Sequence, residues 1–86
     1  MEKILLPPER VDELLQELCA KLGYCLDPIA DLRIRNSPPR TVDRFTDVVM
    51  SADGDDPRFC KVRPQVREVV ARHFEAESER QRTSNI

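Results

Sequence analysis

Seven prolines lie between, and never inside, the apolar-periodic stretches of this 86-residue chain, which has only two glycines. Proline fixes φ and has no amide to donate, so it suits the first turn of a helix and interrupts a central strand. This punctuation cuts the chain into short segments, each of which reads as a helix rather than a strand.

The first segment runs from about Pro8 to Leu22. Val11, Leu14, Leu15, Leu18 and Leu22 recur at three- and four-residue spacing, with Cys19 beside the stripe. Glu9, Asp12 and Glu13 complement the positive end of the helix dipole and Lys21 the negative end. Gly23 stands where a left-handed cap is needed.

Asp27-Pro28 then reads as an N-cap followed by proline at the first helical position. A short helix from Pro28 to about Arg35 is expected to bury Ile29 and Leu32 and to close at Asn36 in the left-handed conformation. The alternation Leu32-Arg33-Ile34-Arg35 also fits a strand, but no second strand stands by to pair with it.

Thr41 is the N-cap of a third helix to about Ala52, whose buried face is expected to comprise Val42, Phe45, Val48, Val49 and Ala52. After the acidic turn Asp53-Gly54-Asp55-Asp56, the pair Asp56-Pro57 repeats the cap-then-proline signature, and one further helical turn is expected before Val62. Pro64 opens the last helix, to about Ala76, with Val66, Val69, Val70, His73 and Phe74 on one face. Beyond Glu77 nothing remains to be buried. The expected organisation is all-α: a bundle of four to five short helices forming a single domain over residues 1–77, with a disordered polar tail over 78–86.

Charge and length narrow the function classes. Sixteen acidic and fourteen basic residues leave a net charge of −2, against the usual basic excess of general nucleic-acid and membrane-surface binders. The longest apolar runs, such as Ile4 to Leu6, are far short of a membrane span or a signal sequence, so cytoplasmic residence is expected. Cys19, Cys25 and Cys60 are then expected to be reduced thiols.

No cofactor, metal or small-molecule substrate is expected. Zinc sites present close cysteine pairs, whereas Cys19 and Cys25 lie across a helix end, Cys60 stands apart and His73 falls on an apolar helical face. The 53–56 turn lacks the spacing and distant glutamate of a calcium loop. No nucleophile motif or phosphate-binding glycine loop is present, so the chain is not expected to be an enzyme.

The distribution of charge is more specific than its total. Between Arg33 and Arg44 four arginines face one acid, Asp43. Between Arg58 and His73 five cations face only Glu68. Arg63, Arg67 and Arg72, beside the apolar face of the last helix, form a candidate partner-binding strip. The leading reading is a small protein-interaction or regulatory module, working on a protein partner or by self-association, with an acidic surface docked on that strip. The alternative is a helix-turn-helix-like DNA binder, with the last helix entering the major groove. An ordinary solvated face, its arginines paired within the molecule, is the structural counter-reading.

Overall fold

The computed structural model describes residues 4–52, 54 and 61–83, and among them it is all-helical. Helix α1 spans Pro8–Leu22, α2 Pro28–Asn36, α3 Val42–Ala52 and α4 Arg63–Thr83. Helix α4 packs against both α3 and α1, and α2 packs against α1. The extra turn expected after Asp56-Pro57 and the third cysteine, Cys60, lie outside the described residues, as do residues 84–86.

The local signals that set the helix ends are realised in the backbone. Gly23 takes φ +78° and caps α1, its amide donating to the Cys19 carbonyl while the Tyr24 amide donates to that of Leu18. The Asp27 carboxylate accepts from the Ala30 amide at 2.7 Å and starts α2. Thr41 accepts from the Arg44 amide at 3.2 Å and starts α3. The cap at the end of α2 differs from expectation. Asn36 stays helical and Ser37, at φ −143° and ψ 74°, ends the helix, so no left-handed residue is used there.

The core is built from Val11, Leu14, Leu15 and Leu18 of α1, Phe45, Val49 and Met50 of α3, and Val66, Val69, Val70 and Phe74 of α4. Fully burying such a side chain contributes about 1.5–3 kcal/mol. Residues ahead of α1 add to it, with Ile4 and Leu6 buried and the Ile4 amide donating to the Arg40 carbonyl at 2.8 Å. Thr46 is fully buried as well, its hydroxyl satisfied by the Val42 carbonyl at 2.8 Å. On α3, Met50 takes the deep position that Ala52, exposed, was expected to share.

The buried face of α2 and the end of α4 also differ from expectation. On α2 the buried residue is Ile34, while Ile29 is 68% exposed and Leu32 58% exposed. With Ile34 in the core, positions 29 and 32 stand about 140° and 160° around the helix from it and face away from α1. Arg35, beside Ile34, bonds Asp12 of α1 and Asp31 of its own helix, each at 2.8 Å, which is consistent with that orientation. The other difference concerns the chain end. Helix α4 does not stop near Ala76 but continues to Thr83, so residues 78–83, assigned to the disordered tail, are helical. Glu77 is buried there, within 3.9 Å of Arg10 Nε and 3.8 Å of Arg80 Nη1.

The expectation of reduced thiols fails for two of the three cysteines. Cys19 and Cys25 are joined by a disulfide, their Cα atoms 4.3 Å apart. The left-handed turn at Gly23 folds the chain back on itself at the end of α1, and that reversal returns Cys25 to the last turn of the helix.

Candidate functional site

The three arginines of the strip are held by carboxylates of neighbouring helices. Arg63 Nη2 donates to Asp47 Oδ1 at 2.9 Å and lies 3.9 Å from Asp43 Oδ1. Arg67 Nε donates to Asp43 Oδ1 at 2.7 Å. Asp43 and Asp47 are four apart on α3, and Arg63 and Arg67 are four apart on α4, so the two helices form a short ladder of opposite charge. Arg72 is separate. It sits about 140° around the helix from Arg67, at 100° per residue, and donates to Glu17 of α1 at 3.4 Å. The residues expected to form one strip therefore divide between two helix–helix seams, and only Arg72 is more than half exposed.

The seam between α1 and α4 holds the one histidine. His73 Nε2 lies 3.0 Å from Glu17 Oε1 and donates to it, since a carboxylate only accepts. Lys21 reaches the other oxygen at 3.3 Å. The His73 hydrogen bond, with Lys21 contributing and partial burial opposing, holds the Glu17 carboxyl below its ordinary value of 4.5. The second ring nitrogen, Nδ1, is closed off from solvent with no hydrogen-bond partner. A general base needs a ring nitrogen within reach of a substrate proton. Here one is engaged and the other is inaccessible, so the cluster reads as a seam between helices. No group of three or more His, Cys, Asp or Glu among the described residues is arranged to hold a metal ion. Among them, too, no helix is long and apolar enough to cross a membrane.

The most distinctive surface lies between α2 and α3. A groove of about 510 Å³ opens there, with Ile29, Ala30, Ile34, Val48 and Ala52 supplying apolar walls. A smaller hollow of about 370 Å³ adjoins it, sharing Arg33, Ile34, Arg44 and Val48 and adding Pro38, Pro39 and Arg40. Arg33 and Arg44 border both hollows and Arg40 the second; all three are exposed. No ion pair among the described residues involves them. They are three of the four arginines in the cationic 33–44 stretch, the fourth being Arg35, which is fixed by Asp12 and Asp31. The cationic excess of that stretch was the signal in the sequence. Its convergence on an apolar groove depends on the rotation of α2, which the sequence pattern alone does not specify.

Comparison with protein-family models, with curated proteins and with solved structures finds no match for this chain.

Proposed function

We propose that this chain is a small, non-catalytic protein-interaction module that docks an acidic surface of a protein partner. One observation carries the reading: Arg33, Arg40 and Arg44 line one hollow beside the apolar groove, with no ion pair among the described residues to hold them, whereas Arg63, Arg67 and Arg72 are each engaged within the molecule. Arginines free of internal pairing keep their bidentate donor forks for a partner. The docking face thus moves from the α4 strip to the α2–α3 side. The DNA-binding alternative has less support, because Asp43 and Asp47 occupy the donors of Arg63 and Arg67 and would repel an approaching phosphate backbone.

The test titrates the full chain, over a range of salt, with a glutamate-rich probe peptide and separately with a duplex oligonucleotide. Three proteins are compared: the parent, Arg33→Gln/Arg40→Gln/Arg44→Gln, and Arg63→Ala/Arg67→Ala/Arg72→Ala. The reading requires salt-sensitive binding of the acidic peptide that the first variant loses and the second keeps. Loss in the second variant alone returns the site to the α4 strip. Binding of the duplex alone, with a steep salt slope, favours the nucleic-acid reading.

A further inference from the structure

The groove beside those arginines says what kind of acidic partner fits. We infer that its occupant is an amphipathic, acidic α-helix that lays an apolar stripe between α2 and α3 and its carboxylates against Arg33, Arg40 and Arg44. This rests on the reading of an acidic partner and specifies its form.

The shape comes first. The groove walls are two helices of 9 and 11 residues, about 13–16 Å long, the length of three turns of a helix laid alongside them. No strand edge is offered among the described residues, so an extended peptide would find no backbone ladder there. A helix satisfies its own backbone and needs only apolar contact. That contact is available: Ile29, Ala30, Ile34, Val48 and Ala52 line the groove, Ile29 is exposed at its lip, and Leu32, outside the lining but on the same helix, is exposed as well. Side chains at i, i+3, i+4 and i+7 of a guest helix match such a surface.

Charge comes second. The shared rim of the two hollows is cationic through Arg33 and Arg44, with Arg40 extending it past Pro39. Of the two carboxylates that border the groove, Asp47 is paired with Arg63, while Asp27, which accepts from the Ala30 amide, keeps its charge, leaving three arginines against one acid. The net demand at the rim is for negative charge. A second copy of this chain does not meet it. An isologous pairing of this face would bring two copies of the same arginine-rimmed surface together. Nor does α1 suit as a guest, since its large apolar residues Val11, Leu14, Leu15 and Leu18 are all buried in the core.

The experiment uses the full chain and three synthetic peptides of about 14 residues, roughly four turns. The first carries leucines at i, i+3, i+4 and i+7 with glutamates on both flanks. The second replaces the glutamates with lysines. The third keeps the acidic sequence but has a central proline, which breaks the helix. Binding is followed by fluorescence anisotropy, and sedimentation reports the oligomeric state. The expected result is saturable binding of the first peptide, at least about tenfold weaker binding of the other two, and a similar loss in two variants. Ile29→Ser/Leu32→Ser removes the exposed apolar side chains of α2, Ile29 at the lip among them; Arg33→Gln/Arg44→Gln removes the charge the two hollows share. Both alter exposed positions, and circular dichroism verifies that each variant stays folded.

The remaining outcomes overturn the inference in distinguishable ways. If the proline peptide binds as tightly as the first, the helical form is wrong while the acidic-partner reading stands. Equal binding of the lysine peptide removes both. A dimer abolished by Ile29→Ser/Leu32→Ser makes the occupant a second copy. No saturable binding of the first peptide at millimolar concentration also overturns the helical occupant, leaving the glutamate-rich probe to decide on the acidic partner.

Discussion

Phe45 of α3 and Phe74 of α4 meet edge to face, their ring centroids 6.1 Å apart and their planes at 81°. Both are buried, and they join the two helices where the ladder of Arg63, Arg67, Asp43 and Asp47 borders the same seam. An aromatic pair of this geometry adds about 0.5–1.5 kcal/mol beyond the area it buries. Replacing either ring with alanine is expected to cost about 3–5 kcal/mol, most of the stability of a domain this small. Chemical denaturation of Phe45→Ala and Phe74→Ala tests this. A Phe74→Ala protein that unfolds at the parent's denaturant concentration would show that α4 does not depend on this contact.

The parts of the fold that were legible in the sequence are those set by short-range chemistry. Gly23, Asp27 and Thr41 mark helix ends by their own side chains or lack of one, and the structure uses all three. What was not legible depends on contacts between helices. Ile29 and Leu32 are apolar and correctly spaced, yet the helix packs by Ile34, with Arg35 bonded to Asp12 beside it, and the two face solvent. The end of α4 has no apolar stripe, because its contacts are polar: Gln81 donates to Glu77 at 3.4 Å, and Glu77 lies near Arg10. At the candidate site the matched four-residue spacings of Asp43–Asp47 and Arg63–Arg67 were present in the sequence. Read together, they indicate two facing helices and intramolecular pairing rather than a free strip.

The disulfide gives a count that is simple to check. Unfolded under non-reducing conditions, the protein is expected to react with a thiol reagent more strongly after reduction, by the two thiols of Cys19 and Cys25. The bridge closes a short loop, six residues apart in sequence, and in the chain-entropy account such a loop contributes about 2 kcal/mol. Cys19→Ala/Cys25→Ala is therefore expected to melt about 10 °C lower. An unchanged thiol count on reduction would show the two cysteines to be unbridged in solution.

The seam carboxylates confer a pH dependence of definite sign. Hydrogen bonding from His73 lowers Glu17 from its ordinary 4.5, and hydrogen bonding from Arg35 lowers Asp12 from its ordinary 3.8. A carboxyl depressed in the folded state contributes stability that is fully present above its unfolded value. That contribution is lost as pH falls through the lower, folded one. Stability is thus expected to decline below about pH 4.5, with Glu17 leading. Glu17→Gln should flatten the upper part of this decline and cost about 1 kcal/mol or less near neutrality, as urea denaturation across pH 3–7 would reveal. A variant with the parent's acid limb would remove Glu17 from the account.

The arginines of α4 supply the last test, because structural and docking roles differ in what they leave behind. Arg63 and Arg67 are partly exposed and bonded at 2.9 and 2.7 Å, while Arg72 is more than half exposed and bonded at 3.4 Å. Pairs of that exposure are typically worth under about 1 kcal/mol each. The variant Arg63→Ala/Arg67→Ala/Arg72→Ala is accordingly expected to stay folded and to lose about 1–3 kcal/mol in all. Part of that loss should disappear at high salt, where the ladder is screened in the parent as well. Stacked against this, a docking strip would show a different signature: little change in stability and loss of an acidic partner that the Arg33, Arg40 and Arg44 variant retains. A cooperative loss much larger than the sum of three surface pairs would instead mean that Asp43, Asp47 and Glu17, left without their cations, are costly to keep at the seams. In that case the ladder between α3 and α4 helps set how these helices pack.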